Sequence, residues 1–165
     1  MGLFMEQNKI YDFFHYICGF NGIREGSPEH LKILSDYCNI KPLPRGYKPK
    51  ISDAWCAIFV SVCFRNFFPD LKFPYECSAH EMWKKICCSS YAHVNGSGYK
   101  PKSGDVIFYK NSVGYINHVG IIFNATPISL LTIEGNYSDK VTIREIYYTD
   151  RKIYGYYDAF DNINW

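Results

Sequence analysis

The sequence predicts an α+β fold, with helices from the first half packed on an antiparallel sheet formed by the second half. Two observations carry this. Up to about residue 88 apolar residues recur at helical spacing, whereas after Gly104 they fall in short runs rich in β-branched and aromatic residues, separated by turn signals. Helices followed by strands, rather than alternating with them, segregate into layers. A third observation is balance: 165 residues, 47% hydrophobic and 21% charged, describe one domain able to bury a sizeable core. A single domain over 1–165 is expected, with N-terminal helices and a loop in 1–50 and the motif-bearing part in 51–165.

Each element has its own local reason. Residues 6–18 place Ile10, Phe13, Phe14 and Ile17 at helical spacing before Gly19. Ser27 is an N-cap with Pro28 at the first helical position, for a helix running to about Cys38. Residues 41–50 hold three prolines and a glycine and read as a loop. A third helix, with Ser52 or Asp53 as cap, puts Cys56, Phe59, Val60, Cys63, Phe64 and Phe67 on one face. Ile58 and Val62 add a second apolar side, so this helix should be buried against the sheet. A fourth helix over 78–88 leads into a Gly/Ser-rich loop, 95–104. Strands follow at 105–109, 118–123, 128–134, 141–148 and 152–157.

Composition excludes several classes of function. The net charge is +2 with lysines and arginines scattered, which leaves no footprint for nucleic acid. No apolar run is long enough to span a bilayer, so membrane insertion is not expected. Residues 1–10 lack signal-peptide architecture, and Glu6 stands where myristoylation of Gly2 would want Ser or Thr; synthesis in the cytoplasm is expected. The cysteines number seven, with no C-x-x-C pair and with Cys87 and Cys88 adjacent. That pattern argues against a disulfide framework and against zinc, and no metal or other cofactor is expected.

One cysteine stands apart. With Asp53 as cap, Cys56 falls in a helix's first turn, where unpaired N–H groups and the helix dipole stabilise an anion and offer a donor to an oxyanion. A thiol nucleophile also needs a base. The hairpin turn between 118–123 and 128–134 centres on Ala125, Thr126 and Pro127. Pairing symmetric about Thr126 sets His118 directly across from Glu134, within reach on one face. The carboxylate would accept the Nδ1 proton and leave Nε2 facing the thiol. The same register sets Gly120 opposite Thr132, where small residues would admit the cysteine's helix. It also sets Val119, Ile121 and Phe123 against Leu131 and Ile133 on the other face. Asn136 is an alternative orienter. The remaining histidines, His15, His30 and His80 in helices and His93 in a loop, read as surface or capping residues.

These residues resemble a known family. S-D-A-W-C-A-x-F-V-S, P-K-S-G-D-V-I-F-Y, N-H-V-G-I-I and T-I-E-G-N-Y, in that order, are similar to the blocks of CHAP domains, the cysteine-, histidine-dependent amidohydrolase/peptidases of the papain-like superfamily. The resemblance implies a papain-like fold and cleavage of amide bonds in bacterial peptidoglycan through an acyl-enzyme. By motif it makes Cys56 the nucleophile, His118 general base and then acid, Glu134 the orienter and Asn136 an added polar residue. Asp53, Trp55 and Asn117, from the same blocks, are implied to shape the cleft and contact substrate. Some phage members carry an acidic calcium loop before the cysteine; residues 40–52 contain no carboxylate, so no metal is expected there.

The expected activity is that of a peptidoglycan hydrolase, either N-acetylmuramoyl-L-alanine amidase or stem-peptide or cross-bridge endopeptidase, in the manner of a phage or prophage lysin, a virion-associated lysin or an exported toxin. It would work as a monomer on bacterial peptidoglycan after release or export from the cell that makes it. Two alternatives stand beside it: a thiol acyltransferase or peptidase with a non-wall substrate, and a silent wall-binding module. Specificity is expected in the loops 75–80, 94–99 and 110–117.

Overall fold

Four helices precede a six-stranded sheet in the computed structural model, which describes residues 2–161. The helices are α1 (Gly2–Cys18), α2 (Pro28–Cys38), α3 (Cys56–Phe67) and α4 (Ala79–Ile86). The strands are β1 (Ala92–Val94), β2 (Val106–Lys110), β3 (Ile116–Ala125), β4 (Ser129–Glu134), β5 (Thr142–Tyr147) and β6 (Ile153–Tyr157). They lie in the order β1-β6-β2-β3-β4-β5, every neighbouring pair antiparallel. This is the α+β arrangement the patterning predicts. Among the described residues no helix is long and apolar enough to cross a membrane.

Caps fix two of the helix starts. Ser27 accepts from the His30 N–H with Pro28 first in α2, and Ser78 accepts from the Glu81 N–H at the start of α4. The strand missing from the sequence reading is β1: three residues at a sheet edge carry too little periodicity to register, and they move His93 from a loop onto a strand. A 3₁₀ turn, Pro44–Gly46, interrupts the loop expected at 41–50.

The sheet has two apolar sides of unequal size. One packs under the helices: Val119, Ile121 and Ile133 join Phe59, Phe64 and Val106 in the main core. Residues 56–64 of α3 are all buried, which explains apolar side chains on more than one of its faces. The other side carries a smaller cluster of Ile107, Tyr109, Ile122, Leu130 and Ile146.

The β3–β4 register differs from the symmetric one. Ile121 pairs with Ile133 and Ile122 with Thr132, then Asn124 with Leu131 and Ala125 with Leu130 across an irregularity near Phe123. The connection is centred later than Thr126: the Thr126 N–H and hydroxyl both bond the Ser129 carbonyl, leaving Pro127 and Ile128 at the tip. Continuing this register brings Glu134 opposite Gly120 rather than His118. A shift of two residues keeps every side chain on its face, so His118 and Glu134 still share one. Gly120 does not admit the cysteine's helix, which packs on the other face. It leaves room for Glu134 instead, whose Cγ would lie 2.6 Å from a Cβ added there. The close approach of α3 occurs at Gly135, where a Cβ would meet the Phe59 Cβ at 2.5 Å.

Candidate active site

Cys56 is the first residue of α3, and its helix has no side-chain cap. Asp53 does not fill that role. Its carboxylate closes its own turn, accepting the Lys50 N–H at 2.7 Å and the Tyr47 hydroxyl at 2.7 Å, while its N–H donates to the Lys50 carbonyl. These bonds hold the Asp53 carboxyl below the usual carboxylate range. Trp55 takes the N-cap position, and the first intrahelical bond runs from the Phe59 N–H to its carbonyl. Uncapped first-turn amides together with the helix dipole form a site for negative charge.

Trp55 does not face a cleft. It is fully buried, donates its indole N–H to Glu25 at 3.1 Å and packs on the His30 ring, with centroids 4.5 Å apart. His30 is likewise interior rather than a surface residue, and burial pushes its pKa down.

His118, near the start of β3, meets both other members of the predicted constellation. Its Nε2–H donates to Glu134 Oε2 at 2.8 Å, and the Cys56 thiol is near enough to the same ring to act on its charge. The ring is therefore turned opposite to the sequence expectation: Nε2 serves the carboxylate and Nδ1 is left for sulfur. The reason is the register. A diagonal partner one pair further along the ladder is reached by the far nitrogen of the ring.

Glu134 is 0% exposed and its four lone-pair positions are used in full. Oε2 takes His118 and the Arg144 guanidinium, the latter at 2.7 Å; Oε1 takes the Tyr109 hydroxyl at 2.5 Å and the Thr132 hydroxyl at 2.8 Å. Arg144 lies over the Tyr137 ring, 3.8 Å from its centroid. Sequence reasoning missed Tyr109, Thr132, Tyr137 and Arg144. Thr132 could have been found, since residues two apart in a strand share a face. Pairing symmetric about Ser138 would also have found Arg144 directly across from Thr132.

Burial alone would lower the His118 pKa, but hydrogen bonds and charge from Cys56 and Glu134 outweigh it and hold it at about 9. Burial alone would raise Glu134; His118, Arg144 and Tyr109 bring it down to about 2. A raised base stabilises the fold fully below its unfolded pKa, near 6.5, and loses that contribution as pH rises through about 9. A depressed acid contributes fully above about 4.5 and loses its share as pH falls toward about 2. Thermal denaturation across pH is expected to plateau between about 4.5 and 6.5 and to fall on both sides. In His118→Gln the decline between about 6.5 and 9 should shrink, and an unchanged alkaline arm would rule out this pair as its source.

Asn136 and Asn117 line a cavity of about 390 Å³ beside His118. Asn136 sits there at φ 56, in the left-handed region that asparagine tolerates. Asn117, adjacent to His118 on β3, is exposed to the same space. Cys56 itself is buried, 4% exposed. Among the described residues no group of three or more His, Cys, Asp or Glu side chains is placed to hold a metal ion. All seven cysteines are free thiols.

Comparison with known proteins gives one extended sequence match. The CHAP domain model matches residues 47–136, more than half of the chain, and spans Cys56, His118, Glu134 and Asn136. No curated protein sequence matches. Similar solved structures include the crystal structure of Ly7917, at 16% identity and a TM-score of 0.46 over 63% of this chain, and that of Ly7917 with the hydrolyzing product of MDP, at 16% identity and a TM-score of 0.47 over 63% of this chain. The matches cover 52% and 53% of those chains, so this chain spans about half of their length.

Proposed function

Because this chain belongs to the CHAP domain family, whose members are amidohydrolases and peptidases, we propose that it hydrolyses amide bonds of bacterial peptidoglycan through a covalent thioester. The observation that supports this is the His118 ring held between the Cys56 thiol and the Glu134 carboxylate at the start of α3. Cys56 is the nucleophile, His118 the base and then the acid, and Glu134 the group that fixes the ring.

The steps follow from that placement. Nδ1 of His118 takes the thiol proton to form a thiolate–imidazolium pair, and the sulfur anion then attacks the carbonyl carbon. The oxygen that becomes anionic is met by first-turn N–H groups of α3. The imidazolium returns its proton to the departing nitrogen, which leaves as an amine, and the acyl group stays on sulfur. Water, losing a proton to His118, then attacks the thioester and releases the carboxylate and the thiol. Glu134 keeps Nε2 protonated throughout, so only Nδ1 exchanges protons. In the cell the protein is made in the cytoplasm and reaches the wall after release or export.

Digestion of purified sacculi, read by mass spectrometry, tests the reading. Each new pair of fragments should sum to its parent plus one water and carry one new amine and one new carboxylate. Their identities separate muramoyl–alanine cleavage from cuts within the stem peptide or cross-bridge. Sacculi left intact by fully folded protein would sink the wall assignment.

A further inference from the structure

The cavity beside His118 holds charge that the amide chemistry leaves unused. Lys110 and Lys152 both line it, and their backbones are tied, the Lys110 N–H donating to the Lys152 carbonyl at 2.8 Å. Among the described residues neither ammonium makes an ion pair. Arg144 lines the cavity too, pinned by Glu134 and by the Tyr137 ring that forms part of the wall. The one carboxylate lining the cavity, Asp150, closes its own turn by accepting the Lys152 N–H at 2.8 Å. Glu134 balances Arg144 and Asp150 balances one lysine, which leaves the pocket net positive. Amides from Asn117 and Asn136 supply neutral donors at its edge.

We propose that this cavity is a subsite for a carboxylate of the peptide substrate, held by Lys110 and Lys152 next to the scissile amide at His118. The inference rests on the peptidoglycan reading above and narrows it to stem peptides that present an anionic group close to the bond cut. Two ammonium groups on tied backbones meet a carboxylate with charge-assisted hydrogen bonds. Lys110 is half-buried and Lys152 exposed at the edge of a cavity of about 390 Å³, which has room for such a group. The carboxylate is either one pendant from the peptide or the one at its C-terminus, and the chemistry of recognition is the same for both.

Three synthetic stem peptides separate the sources: one with both carboxyls free, one amidated at the pendant carboxyl and one amidated at the C-terminus. Binding is measured calorimetrically on the full chain carrying Cys56→Ala, so that nothing turns over. One of the two amidations should weaken binding about tenfold and so identify the carboxylate. Added salt should erode that same difference. In a Lys110→Gln/Lys152→Gln background, free and amidated peptides should bind within about twofold of each other. Equal binding of all three by the Cys56→Ala chain overturns the subsite and leaves the hydrolase reading standing. Binding of none, with sacculi still solubilised by the unaltered chain, also overturns the subsite alone. Binding of none together with intact sacculi overturns both.

Discussion

Alanine at Cys56 is expected to lower release of soluble wall fragments by roughly 10⁴- to 10⁶-fold, the range seen when a covalent nucleophile is removed from an assembled catalytic group. The magnitude follows from the division of labour at the site. His118 and Glu134 remain in place without the sulfur, but they have no atom to activate. What survives is the oxyanion environment at the head of α3 and the binding of substrate. Fragment release from sacculi, quantified by chromatography, measures the loss. A variant that keeps more than about one hundredth of the parent rate would show that sulfur is not the attacking atom. Labelling experiments need serine at Cys87 and Cys88, because those two thiols are exposed and would mask Cys56.

The second large effect is at Glu134. Glu134→Ala strips four donors of their shared acceptor at once, in a position with no access to water. Arg144 is left as a half-buried cation without its anion, a situation that costs about 3–5 kcal/mol when one partner of a buried pair is deleted. For a domain of this size that is a melting point lower by roughly 6–20 °C. Activity should drop by about 10²–10⁴-fold as the ring loses its fixed tautomer. Glu134→Gln keeps the shape and two acceptor positions, so it should recover part of the stability and much less of the rate. Differential scanning calorimetry beside wall digestion separates the two losses. An alanine variant that melts with the parent would mean that the four-way contact contributes nothing to folding.

The site was legible in the sequence to the extent that its residues announce themselves chemically. Cys56 at a helix start and a His and Glu on one hairpin face needed only periodicity and strand alternation. The pairing itself was displaced by two, because Thr126 bonds across the turn to Ser129 and an irregularity near Phe123 absorbs a residue. An even displacement is invisible to arguments about faces, so the right residues met through the wrong geometry and the ring nitrogens were exchanged. The cap failed for a different reason. Asp53 has the chemistry of an N-cap, but the turn from Lys50 to Asp53 competes for the same carboxylate and wins. Tyr109 and Arg144 lie on strands paired with their sequence neighbours, β2 with β3 and β5 with β4, and were missed because only the β3–β4 hairpin was given a register. Trp55, read as a cleft residue, has its indole N–H tied to Glu25, thirty residues upstream.

That last contact belongs to a wider arrangement. Gly22, Ile23 and Glu25 exchange backbone hydrogen bonds with Asp139 and Val141, just past the Asn136 turn, while the Glu25 side chain holds Trp55 beside Cys56. The connector between α1 and α2 thus clasps both walls that carry the reacting groups, although it lies outside the 47–136 stretch. For anyone fusing this catalyst to a foreign targeting module, the family boundary is therefore the wrong place to cut. A transplant trimmed there would forfeit the clasp at one end and Arg144 at the other, and the graft should retain everything from α1 to β6.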